Sequence, residues 1–354
     1  MFGFLELAEL VEGAECNARR PGHKAESCST RVGGIRIGVN IPSFRVLATL
    51  ATFSSVATTV ACQQRSSGSG HLAEAGPITR PAGPMGLADA RAYVLALVNH
   101  DRAQAGLEAV RWDEAAERAG ERHVEDMVRN GYTSHWGTDG SVPEQRYTES
   151  GGKDLVQENV ACFFDAVPRE LDRSPTFTAV ELEKIETAFM AEVPPNDGHK
   201  KNILKKWHTG FGVGLAVPKG VRQPCMSQEF VDGYGTYSDL PKRAHVGRSI
   251  TVSGEVHEPA KFGAVGIARI EPSKPLTATY LNTTSMYAMP EPFVLYLPPG
   301  FETPKPVRVD GKRFTIDVPL SDRGRRGRYA VSVWGRFPGD DAFVMLSLRV
   351  IDAE

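Results

Sequence analysis

The side chains able to do chemistry are few in this chain of 354 residues, which has nine histidines and five cysteines. The folded part has no Gly-x-Ser-x-Gly elbow, no His-Glu-x-x-His helix and no phosphate-binding Gly-Lys loop. The cysteines are too few for a disulfide scaffold and too widely spaced for a zinc ribbon. Cys162 lies in a predicted strand and has two readings. As a thiolate it would pair with His135 or His199 as base; in an exported protein it would instead be bridged to Cys225, also in a predicted strand. The second reading is favoured. Glu192 and His199 are seven residues apart across Pro194, Pro195 and Gly198. That spacing is not two turns of one helix, so the pair meets only if the loop folds back. Neutral imidazoles with carboxylates beside them hold a divalent ion and leave positions open to water. A glutamate can equally orient a histidine by accepting its second ring proton.

The other histidines form no ligand spacing. His100 and His123 fall in predicted helices, His208 in the KKWHTG turn, and His245 and His257 in a β-rich region. His23 and His71 lie in unpatterned segments. Lys205-Lys206-Trp207 and SDRGRRGR (321–328) are local basic patches, the latter read as a solvated loop between strands. Lys+Arg 41 against Asp+Glu 43 gives a net charge of −2, so no global basic field exists to hold nucleic acid. With 41% hydrophobic and 24% charged residues the chain suits a soluble globular protein, and its length suits about two domains.

The elements that must position these groups show in the apolar periodicity. Ala90, Tyr93, Val94, Leu97 and Val98 mark one face of a helix ended by Gly106. Asp113 caps a second helix, with Ala116, Ala119, His123 and Met127 on one stripe and Gly131 closing it. A third is expected over 179–192. Strands are expected at Asn159–Phe164, Gly212–Val217 and Met226–Tyr234, which makes a layered domain over 85–240. From about 245 the period becomes two. Ser249–Val256, Ala264–Ile270, Thr277–Asn282, Phe293–Leu297, Arg313–Leu320, Gly327–Phe337 and Ala342–Val350 are predicted strands of an immunoglobulin-like sandwich. Each half has its own periodicity and the junction SDLPKRAHVG (239–248) is polar, so each is expected to fold alone.

Ahead of these, Arg45 and the stretch VLATLATFSSVATTVA (46–61) before Cys62 read as a secretory signal. Thr59-Val60-Ala61-Cys62 is similar to a bacterial lipoprotein cleavage box, which makes Cys62 the expected lipidated N-terminus and membrane anchor. Residues 1–62 are then a cleaved or spurious extension, with a start at Val39 as one explanation of its length. Residues 63–84, dense in Ser, Gly and Pro, are expected to be a flexible linker.

The segments LVNHDRAQAGLEAVRWDEAAERAGERHVEDMVRNGYTSHWGTDG (97–140), QENVA (157–161), GHKKNIL (198–204) and GFGVGLAV (210–217) resemble, in order and spacing, the bacterial branch of the CAP superfamily. That superfamily groups cysteine-rich secretory, antigen 5 and pathogenesis-related 1 proteins. The resemblance implies an α-β-α sandwich, and for the chain an α+β class with a β-sandwich behind it. It also implies a cleft of two histidines and two glutamates, transferred here to His135, Glu158, Glu192 and His199, with Gln157 standing where the family has Gly. His135 and His199 are the expected metal ligands, for zinc or another divalent ion, and Glu158 and Glu192 the groups that position water or rings. Three functions follow as expectations. The first is an exported, surface-tethered binding module for a small, lipid-like or cell-envelope ligand. The second is a metal-assisted hydrolase using the same cleft. The third is an adhesion protein recognising its partner through the sandwich.

Overall fold

The computed structural model describes residues 78–271, 274–284 and 286–354. The signal-like segment, Cys62 and the linker up to residue 77 lie outside the described residues. Among those described, no helix is long and apolar enough to cross a membrane. The final stretch of the expected linker packs on the domain that follows it. Ile78 lies against the apolar core, and Arg80 pairs with Glu183.

The first part contains α1 (Leu87–Gln104), β1 (Arg111–Trp112), α2 (Glu114–Asn130), α3 (Pro143–Glu149), β2 (Leu155–Ala161), α4 (Ala179–Met190), α5 (Gly198–Ile203), β3 (Gly210–Ala216) and β4 (Cys225–Asp232). Its sheet has the order β1-β3-β4-β2. The Asp113 carboxylate accepts the Ala116 N–H at the start of α2, and Gly131 ends that helix in the left-handed region at φ 71°. On one side α1 and α4 bury Val94, Val98, Leu182 and Phe189 against Phe211, Val213 and Phe230 of the sheet. On the other side α2 lies directly on β3. A Cβ on Gly214 would stand 2.2 Å from the carbonyl carbon of Gly120, so glycine at both positions permits that approach.

The second part contains β5 (Gly235–Tyr237), β6 (Arg243–Ala244), β7 (Ser249–Val256), β8 (Lys261–Ile270), α6 (Ala278–Leu281), β9 (Val294–Tyr296), β10 (Arg308–Asp310), β11 (Arg313–Pro319), β12 (Gly327–Arg336) and β13 (Val344–Ala353). Two sheets, β10-β11-β7-β5 and β6-β13-β12-β8-β9, close on a core that includes Val252, Phe314, Ile316, Tyr329, Val331 and Leu346. The chain is therefore α+β with a β-rich C-terminal region. β5 and β6 join these sheets ahead of residue 245. Thr277–Asn282, expected as a strand, is instead the short helix α6. The Thr277 hydroxyl accepts the Tyr280 N–H and caps it, a local preference that overrides alternation.

The two parts share surface. Tyr329, Val331 and Val333 of β12 face the sandwich core, whereas Ala330 of the opposite face packs with Leu348 of β13 and Leu155 of β2. Trp207 stacks on Phe337 at 3.9 Å. Lys205, read as part of a basic patch, is bonded to Asp232 Oδ2 at 2.5 Å. Arg328, read as part of a solvated loop, is buried and donates to the Gly140 carbonyl at 3.0 Å.

Cys162 and Cys225 are joined, 63 residues apart in sequence, across the β2–β4 pair. That bond takes the Cys162 thiolate out of contention as a nucleophile. Closing such a loop constrains the unfolded chain by about 4 kcal/mol in the entropic model. Thiol labelling in denaturant without reductant is expected to leave both cysteines unlabelled. The double substitution Cys162→Ser/Cys225→Ser should lower the urea midpoint. A second expectation comes from α4. Burial pushes the Glu186 carboxyl up to about 8; the Gln228 amide that donates to it at 2.5 Å opposes the shift, and Asp101 adds to it. Between the ordinary carboxylate range and that value the native state holds a proton that the unfolded chain has lost, so stability falls as pH rises through this window. Glu186→Gln keeps a neutral group there. Its melting temperature should exceed the parent's near pH 8 (about the value to which Glu186 is shifted), the gap closing toward the ordinary carboxylate range.

Candidate functional site

His135 sits in the loop that Gly131 starts. Its Nδ1 lies 2.9 Å from Glu158 Oε1, on β2. The other oxygen of Glu158 accepts Arg146 Nη2 at 2.7 Å, and the Ser227 hydroxyl lies 3.2 Å from it. Arg146, from α3, also donates to the His135 carbonyl at 3.0 Å and the Ser141 carbonyl at 3.1 Å, so one guanidinium ties both the carboxylate and the loop. Burial favours the neutral acid at Glu158, yet Arg146, then His123 and His135, hold its carboxyl well below the usual range. Glu229, across the strand pair, goes the other way: burial and the Glu158 charge push it well above the usual range. The two carboxyls thus carry one negative charge between them, opposite one guanidinium. Burial, with Arg146, lowers His123 to about 4, so its ring is neutral near pH 7, and its Nε2–H donates to the Ser134 carbonyl at 2.7 Å.

The second pair forms because the loop after α4 does fold back. Glu192 Oε1 lies 2.5 Å from His199 Nδ1, while Oε2 accepts the backbone N–H of His199 at 2.9 Å and of Lys200 at 3.4 Å. Glu192 therefore satisfies the first amides of α5, where Asp197 provides no side-chain cap. The His199 ring packs on Phe189 at 4.4 Å. Asn159 binds this end to β2, its Nδ2 donating to the His199 carbonyl at 3.2 Å and to Gln228 Oε1 at 3.1 Å. His208, by contrast, is buried away from the pairs, bonded to Asp232 at 2.6 Å.

All four residues carried over from the sequence, His135, Glu158, Glu192 and His199, line one cleft of about 680 Å³. The disulfide pair, Cys162 and Cys225, does not. Part of the wall comes from residues that sequence reasoning missed. Met286, Tyr287 and Met289, in the strap between β8 and β9, face the same space. The strap runs along the His135 loop. Leu276 N–H donates to the Thr138 carbonyl at 2.8 Å, and Asn282 Oδ1 accepts the Thr133 N–H at 3.0 Å. The Ser134 and Thr284 hydroxyls are 2.7 Å apart, and Trp136 meets Tyr287 edge-on at 5.1 Å. No sequence signal pointed to the strap as part of the cleft, because Thr277–Asn282 within it alternates like a strand. Arg146 had none, because an arginine in a short helix looks like any exposed one.

Each ring faces a carboxylate through Nδ1. A carboxylate only accepts, so the Nδ1 proton is fixed and the neutral ring carries its lone pair on Nε2. Neither Nε2 has a hydrogen-bond partner among the described residues. Two such nitrogens suit a divalent metal as half of a ligand set. No group of three or more His, Cys, Asp and Glu placed to hold an ion is present among the described residues. Water or an incoming ligand would have to complete the coordination.

Residues 95–230 match the model of the family described as CAP, the cysteine-rich secretory protein family. Similar solved structures include an extracellular protein containing an SCP domain from Bacillus anthracis str. Ames, 22% identical, with 44% of each chain covered and a TM-score of 0.31. Another is a chitin binding domain from Burkholderia pseudomallei, 14% identical, covering 32% of this chain and 57% of that one at a TM-score of 0.21. The chain thus spans less than half of the first structure and little more than half of the second. No curated protein matches. The family match encloses both histidine–glutamate pairs and the strand between them, so residues 95–230 of this chain are a CAP domain.

Proposed function

We propose that the cleft binds a divalent cation such as zinc through Nε2 of His135 and His199 and holds it open to a ligand entering beside it. The observation that carries this reading is the pair of imidazoles, each with its Nδ1 proton committed to a glutamate. Glu158 and Glu192 orient the rings and fix their tautomer. The ion supplies Lewis acidity when bound. The chain's own residues fix the two donors and leave the remaining positions to water. We further infer that the protein is exported and tethered to the cell envelope through Cys62. The Cys162–Cys225 bond supports an oxidising compartment, and the lipobox-like sequence supports the anchor.

Zinc titration calorimetry on the full chain tests the cation site. His135→Ala and His199→Ala should each abolish the cleft's affinity, and Glu192→Gln should weaken it by about 10- to 100-fold. Equal affinity in all these samples would place the ion elsewhere. Zinc-dependent turnover of a peptide or ester panel, lost in both histidine variants, would make the cleft a hydrolase.

A further inference from the structure

β2 is an edge strand, paired only with β4. Successive side chains of a strand point to opposite faces, so Val156 and Glu158 belong to one face and Gln157 and Asn159 to the other. All four line the cleft. A cavity touched by both faces of one strand runs along its edge, not over either face. On that edge alternate residues turn N–H and C=O away from β4. Among the described residues, no hydrogen bond outside the β4 ladder reaches the backbone of residues 156–161.

The start of the same edge is already taken. The Lys153 carbonyl accepts the Ser347 hydroxyl at 2.5 Å, and the Asp154 carbonyl accepts the Leu348 N–H at 3.5 Å, both from β13. The sandwich thus covers the edge up to Asp154 and stops; beyond it the strand, its side chains mostly buried, continues along the cleft with no backbone partner on that edge among the described residues.

We propose that the cleft takes an extended peptide as an added strand on β2, continuing the line that β13 begins. A row of unpaired backbone donors and acceptors is matched in kind and spacing by the backbone of another strand. The main chain of the peptide supplies affinity. Its alternating side chains meet the histidine–glutamate pairs and the wall of Met286, Tyr287 and Met289, where the two methionine thioethers adapt to varied shapes. The volume of about 680 Å³ lies within the range of ligand clefts. This inference rests on the reading of the cleft as a binding site, although the edge itself needs no metal.

The test selects binders to the full chain, with zinc and with chelator, from a phage library of linear peptides about ten residues long, somewhat longer than a typical strand. A selected peptide is then made with backbone N-methyl groups at odd or at even positions. One parity should lose about tenfold or more in affinity while the other binds as the parent does. Amide exchange should slow within residues 156–161 when the peptide is bound. The proposal is overturned if no linear peptide is selected, if neither parity matters, or if protection falls elsewhere. Zinc binding without peptide binding would sink the added strand and leave the cation site standing. Peptide binding in chelator, with no zinc binding by calorimetry, would do the reverse.

Discussion

Glu158 is buried with its charge intact, and most of the cleft depends on how that charge is balanced. A lone carboxylate at that depth would take up a proton, and a neutral acid would no longer hold the Nδ1 proton of His135 as a pure acceptor. Arg146 prevents this at 2.7 Å. Breaking a buried pair by removing one partner typically costs about 3–5 kcal/mol, because the other charge is stranded. Glu229 completes the balance by staying protonated beside the pair. Arg146 also grips the His135 and Ser141 carbonyls, so the same guanidinium sets the charge state of the glutamate and the path of the loop it serves.

The second pair solves the same problem differently. Glu192 and His199 are partly exposed, so no buried cation is required. The carboxylate is held by the backbone amides at the start of α5, a position that favours negative charge. Two unlike supports therefore present two like imidazoles. β2 joins them: Glu158 serves one pair, and Asn159, on the opposite face of the strand, holds the backbone of the other.

The sandwich takes part in this arrangement. One face of β12 builds its own core, and the other covers Leu155 at the start of β2. The strap between β8 and β9 lies against the His135 loop and contributes Met286, Tyr287 and Met289 to the cleft. The cleft is thus walled by both parts of the chain, and its chemistry is polar on the CAP side and apolar on the sandwich side.

The helices over 87–104, 114–130 and 179–190 were legible in the sequence because each carries a 3.6-residue apolar stripe and a capping or stop residue of its own. Of the seven later segments with period two, six are strands, since alternation is also a local property. The four cleft residues were legible only through the ordered motifs of the family resemblance; no spacing in the chain points to His135 by itself. Other features depended on distance along the chain. The Thr277–Asn282 segment alternates well enough for a strand, but its capping hydroxyl and its packing on the CAP domain make it helical. Arg146 and Glu229 reveal nothing in sequence, because a buried charge is recognised only by the partner that compensates it. For Arg146 that partner is Glu158 on another strand, β2, and it is the Glu158 charge across the strand pair that, with burial, pushes Glu229 toward its neutral form. Local patterning therefore determined which elements form. Tertiary structure decided which charges could be buried together, because electrostatic compensation acts between side chains that only the packed chain brings within reach.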